Sequence, residues 1–151
     1  MIEADIKKYE LEISANCNAQ CPLCARTEMG MSLRGNSEIS LKNIMHLFQT
    51  EKSVKNKEFK LCGVLGDPIV HPQCLEISQW LGEKGGNVII STNGGYNNPE
   101  WWSKLAKVKN LKVDFIIPTP ETSRVYAYGL SSYTNIPIQE CIIKNRYINR
   151  T

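Results

Sequence analysis

The chain is predicted to fold as an α/β domain of parallel strands covered by helices, and three observations carry that prediction. Short apolar or β-branched runs alternate with longer amphipathic stretches, the rhythm of strand–helix–strand units. Val88-Ile89-Ile90 is continuously apolar, as a parallel strand buried on both faces requires. Each polar or glycine-rich motif falls after a strand and before a helix, so the motifs share one rim, where parallel sheets bind ligands.

Residues 9–14 read as the first strand, because Tyr9, Leu11 and Ile13 alternate with Glu10 and Glu12. Residues 25–38, rich in Gly, Ser, Arg and Met, read as a long connecting loop. Ser40 is a helix cap, with Leu41, Ile44, Met45 and Phe48 on one face of the helix it opens. Residues 59–65 form a second apolar strand, ended by Gly66-Asp67-Pro68. A second helix covers about 73–84, with Leu75, Ile77, Trp80 and Leu81 apolar, and Gly85-Gly86 stops it. Asn87 to Ser91 is a short strand followed by the turn Thr92-Asn93-Gly94-Gly95. A third helix begins near Pro99 and runs to about Lys107. Leu111 to Ile117 reads as a fourth strand. After Ile117 the rhythm breaks, and 118–151 has no clear helical stripe. The expected division is a core over 1–117 and an irregular tail over 118–151.

At 151 residues one domain is expected. The 18 basic and 15 acidic residues are spread along the chain, which leaves no basic patch for a nucleic acid. The cluster Lys52, Lys55, Lys57 and Lys60 is interrupted by Glu51 and Glu58 and reads as a solvated helix end and loop. Met1-Ile2-Glu3-Ala4-Asp5 is polar rather than a signal segment, and no run approaches the roughly 18 apolar residues that span a bilayer. A cytoplasmic, reducing location is therefore expected, where clustered cysteines bind metal more often than they pair.

That expectation directs attention to Cys17, Cys21 and Cys24, spaced C-x₃-C-x₂-C directly after the first strand. Three thiolates on one loop hold three corners of a 4Fe–4S cube and leave the fourth iron free to bind a small molecule. Zinc, a redox pair and buried thiols are the alternatives. Structural zinc takes four ligands, often as two separated pairs, and only one C-x₂-C occurs here; Cys62, Cys74 or Cys141 remains open as a fourth ligand. A redox pair explains Cys21 and Cys24 but leaves Cys17 idle. Cys62 and Cys74 otherwise read as small buried residues. His46 and His71 are too scattered for a histidine-based site, and Trp80, Trp101 and Trp102 read as packing residues. Met29, Met31 and Arg34 belong to the loop beyond the cysteines.

The cysteine spacing after a first strand resembles the signature of the radical S-adenosylmethionine superfamily. Two further segments resemble it in type and position. Leu65-Gly66-Asp67-Pro68 is similar to the family's Gly-Gly-Glu-Pro stretch, and Ser91-Thr92-Asn93-Gly94 to its Thr-Asn-Gly segment. The resemblance implies a partial (β/α) barrel of about four strand–helix units. It implies a 4Fe–4S cluster on Cys17, Cys21 and Cys24, with S-adenosylmethionine chelating the unique iron through its methionyl amine and carboxylate. Electron transfer to the sulfonium then yields a 5′-deoxyadenosyl radical that abstracts hydrogen. Asp67 with Gly66 is expected to face the methionyl amine, and Thr92 with Asn93 to shape the cofactor pocket. An external electron donor of flavodoxin or ferredoxin type is implied, acting for an unidentified substrate.

The pattern also departs from the family. Leu23 stands where an aromatic commonly precedes the last cysteine, and Leu65 and Asp67 replace glycine and glutamate. Ile116-Ile117-Pro118 stands where the fourth strand usually ends in polar residues. Only four of the usual six strand–helix units are visible. A chain lacking its second half, or changing reading frame near Phe115, has this appearance. The alternatives are an iron–sulfur or electron-transfer module without radical chemistry, and an inactive fragment that a second chain completes.

Overall fold

The computed structural model describes residues 6–19, 21, 24, 26, 37–112, 124–135 and 137–138. Its sheet has four parallel strands in chain order: β1 (Lys8–Glu12), β2 (Glu58–Cys62), β3 (Asn87–Ile90) and β4 (Leu111–Lys112). Between them run α1 (Leu41–Leu47), α2 (Glu51–Val54), a single 3₁₀ turn (Pro68–Val70), α3 (Cys74–Glu83) and α4 (Pro99–Leu105). The expected α/β order of parallel strands and covering helices is thus present.

Side-chain alternation sets the faces. Leu11 pairs with Leu61 and Leu61 with Ile90, so apolar residues of three strands line up under the helices. Ile13, Ile44, Phe59, Leu61, Ile77, Leu81 and Val88 are fully buried there. Phe48 meets Tyr9 and Phe59 edge-on at 5.0 and 5.1 Å, closing an aromatic trio over β1 and β2. The other face is polar: Lys60 pairs with Glu10 at 3.2 Å and Lys8 with Glu58 at 2.7 Å. Ile89 is only half-buried on that side, so β3 is less enclosed than its continuous apolar run predicted.

Local signals explain the helix ends. Ser40 Oγ accepts from Asn43 N at 3.2 Å and caps α1 as expected. Leu41, Ile44 and Phe48 face inward, but Met45 is 38% exposed, which corrects its placement on the core face. In a seven-residue helix the narrow stripe of 41, 44 and 48 fills the contact, leaving position 45 at its margin. Gly86 N donates to Leu81 O at 2.9 Å and ends α3. Trp80 and Trp101 pack against the core, and Trp102 Nε1 donates to Tyr96 O at 3.2 Å.

The tail differs from its prediction. Arg124–Thr134 forms a helix, α5, which packs on α4. Ala127 is buried, whereas Val125 and Tyr128 are 79% and 55% exposed, so apolar residues at those two positions do not mark a buried face. Residues 113–117, Pro118–Pro120, Leu23, Met29, Met31, Arg34, Cys141 and the apolar Ile142, Ile143 and Ile148 lie outside the described residues.

Candidate functional site at the strand ends

The loops leaving β1, β2 and β3 meet at the C-terminal rim of the sheet. Gly66 makes the first junction. A Cβ on Gly66 would collide with the carbonyl oxygen of Ser14, so only glycine lets the β2 loop lie against the β1 loop. Asp67 N then donates to Asn16 O at 2.7 Å, one residue before Cys17. Here the missing side chain serves a backbone-to-backbone approach.

Asp67 makes the second junction. It is 4% exposed, and its carboxylate accepts three hydrogen bonds. Oδ1 takes Ile69 N at 3.1 Å and Thr92 Oγ1 at 2.7 Å, and Oδ2 takes Asn93 N at 2.7 Å. A carboxylate has about four acceptor positions, so one remains for anything further. Asp67 therefore clips the β3 turn to the β2 loop. Thr92 Oγ1 also accepts Gly94 N at 3.1 Å, and Gly94 adopts φ 69°, which fixes the turn.

Asn93 makes the third junction. Its Oδ1 accepts Gly95 N at 2.7 Å, and its Nδ2 donates to Asn18 Oδ1 at 3.1 Å and to Cys17 Sγ at 3.5 Å. Asn18 Nδ2 returns a bond to Gly95 O at 2.9 Å. Sequence reasoning did not single out Asn18, because nothing in its type separates it from an ordinary loop asparagine. Arg26 Nη1 holds Cys17 O at 2.7 Å and was likewise not anticipated.

Cys17, Cys21 and Cys24 are all free thiols on the loop after β1, with Cys21 exposed and the others half-buried. Cys24 N donates to Cys21 O at 3.1 Å, a tight turn between the last two. Among the described residues no three His, Cys, Asp or Glu side chains converge as ligands of one ion. Cluster thiolates bind separate irons, so a cluster asks for three thiols along one loop rather than convergence on a point. The donor set fits such a group: Ala19 N at 3.4 Å and Asn93 Nδ2 both point N–H at the Cys17 sulfur.

The other described cysteines and the histidines take no part in this hydrogen-bond network. Burial pushes the Cys74 thiol up to about 12, consistent with a small core residue. Cys62, at the end of β2, is half-buried and also pushed up, by burial first and by Glu10 next. His71 is buried below the Asp67 turn, where its Nδ1 accepts Gln73 N at 2.9 Å. His46 is exposed on α1, 3.0 Å from Gln49. A surface concavity lined by Met45, Phe48, Trp80 and Lys84 lies between the C-terminal ends of α1 and α3, away from the cysteine rim.

No protein-family model matches the chain. It is 25% identical over 142 residues to a tungsten-containing aldehyde ferredoxin oxidoreductase cofactor-modifying protein from Pyrococcus furiosus, covering 91% of this chain and 38% of that protein. It is 28% identical over 113 residues to an AdoMet-dependent heme synthase from Methanosarcina barkeri, covering 74% of this chain and 31% of the synthase. A 40-residue match to the amidophosphoribosyltransferase of Schizosaccharomyces pombe, 45% identical, spans 26% of this chain and 8% of that enzyme, too little to carry an argument. In three dimensions the chain is similar to BtrN in its complex with AdoMet and 2-DOIA, with a TM-score of 0.63 and 14% identity. That match covers 88% of this chain and 55% of BtrN and shows the partial-barrel fold.

In sequence and fold the chain is thus similar to proteins of the radical S-adenosylmethionine kind. The chain spans less than two thirds of the relatives it matches. Among the described residues no helix is long and apolar enough to cross a membrane.

Proposed function

We propose that this chain is a radical SAM protein that holds a 4Fe–4S cluster on Cys17, Cys21 and Cys24 and acts as an enzyme on an organic substrate. The observation that carries the reading is the hydrogen-bonded chain from Asp67 through Asn93 to Cys17, which ties three neighbouring strand ends into one rim. A relative named as AdoMet-dependent and a fold neighbour solved with AdoMet support S-adenosylmethionine as the second cofactor. Held by these three cysteines, such a cluster would supply the electron for reductive cleavage of S-adenosylmethionine. The chain's own part is positional. The cysteine loop offers three thiolates, Gly66 and Asp67 lock the β2 loop beneath it, and Thr92 and Asn93 wall one side of the rim. A reductant of flavodoxin or ferredoxin type would supply the electron.

The test is anaerobic reconstitution with iron and sulfide, followed by reduction and addition of S-adenosylmethionine. Uptake of about four irons per chain, lost in Cys17→Ala, together with release of 5′-deoxyadenosine, is the expected result. A preparation that binds zinc and refuses iron would sink the proposal.

A second reading, an iron–sulfur module without radical chemistry, is favoured by one observation. The Asp67 carboxylate is occupied by three internal donors, which leaves little of it for a methionyl ammonium. Iron uptake without 5′-deoxyadenosine would select this second reading.

A further inference from the structure

We infer that Asn93 is a tuning residue for the metal centre, set by the Asp67 clip to donate a hydrogen bond to the sulfur of Cys17. The inference rests on the proposed three-cysteine cluster and goes beyond it, because it assigns a function to one side chain that contacts a ligand atom.

The orientation of Asn93 follows from its own partners. Gly95 N can only donate, so the atom facing it at 2.7 Å must be the amide oxygen. The nitrogen is thereby turned toward Cys17 Sγ and Asn18 Oδ1. Both amide hydrogens and the oxygen are engaged, which leaves the side chain a single orientation. The backbone is fixed separately, since Asn93 N donates to buried Asp67 at 2.7 Å. The donor is thus held from two directions before any metal arrives, as a preorganised dipole must be.

A hydrogen bond to a cluster thiolate favours the reduced state, because the added electron raises the negative charge on sulfur. Removing the donor therefore lowers the midpoint potential and makes the centre harder to reduce. Cys17 receives this side-chain donor from the strand β3 turn, so the potential is set partly by a loop about 76 residues away in sequence.

The experiment compares the parent with Asn93→Ala and Asn93→Asp after anaerobic reconstitution, using potentiometric titration followed by electron paramagnetic resonance. Neither substitution touches the backbone N–H that Asp67 holds, and Asn93→Asp keeps an oxygen for Gly95 N. At a fixed solution potential the reduced-to-oxidised ratio should fall about threefold to tenfold in Asn93→Ala, tenfold being 59 mV for one electron. Asn93→Asp should fall at least as far. Equal potentials in parent and either iron-loaded variant overturn the inference and leave the proposed function standing. If Asn93→Ala takes up no iron, Asn93→Asp decides by the same comparison. A parent that takes up no iron defeats the cluster reading itself, and this inference with it.

Discussion

Asp67→Asn puts the clip to its most direct test. The carboxylate is buried and accepts two bonds at Oδ1 and one at Oδ2. Asparagine keeps one acceptor and replaces the other with a donor. With the amide oxygen at Oδ1, its NH₂ faces Asn93 N–H; with the amide flipped, it faces Ile69 N–H. Either way a backbone donor loses its acceptor, and the surviving bonds lose their charge. A bond to a charged group contributes about 1.5–3 kcal/mol and a neutral one about 0.5–1.5 kcal/mol. One loss and two weakenings give about 3.5–6 kcal/mol, toward the lower end because Asn93 N is only partly buried. For a chain of 151 residues each kcal/mol moves the melting temperature by roughly 2–4 °C. Urea unfolding of the metal-free chain gives the stability, and hydrogen exchange gives the protection of the Asn93 amide. A change below about 0.5 kcal/mol, the scale of an ordinary surface substitution, with an Asn93 amide no less protected, would refute the clip.

Two further predictions concern the same rim and its support. Gly66→Ala forces a Cβ against the Ser14 carbonyl and stretches the Asp67–Asn16 bond, so it should cost about 1–3 kcal/mol and weaken iron uptake; an unchanged urea midpoint would contradict the close approach. Burial holds His71 below its ordinary value of 6.5, with Glu38 the largest opposing influence. Above 6.5 the folded and unfolded chains are both neutral at this position. As pH falls from 6.5 toward the lowered value the unfolded chain binds the proton first, so stability declines and then levels off. The parent's urea midpoint should therefore drop more than that of His71→Asn, whose amide oxygen still accepts from Gln73 N. Parallel profiles would remove His71 as the cause.

Much of the scaffold was legible because it rests on short-range chemistry. Tyr9 and Leu11 alternate with charges, Ser40 has the cap residue's geometry, and Gly85-Gly86 ends a helix wherever it occurs. α5 escaped because Val125 and Tyr128 are apolar yet exposed, which blurs the stripe, and Met45 was misplaced because a neighbouring surface decides which edge of a short helix is covered.

The sequence by itself determined the succession of parallel strands, the three thiols on the first loop and the strand-end address of each motif, since period, turn chemistry and spacing are local properties. Only the tertiary structure decided what Gly66, Asp67 and Asn93 touch. Their partners lie tens of residues away, and an aspartate has the same sequence signature whether its carboxylate meets a ligand or two backbone amides and a threonine.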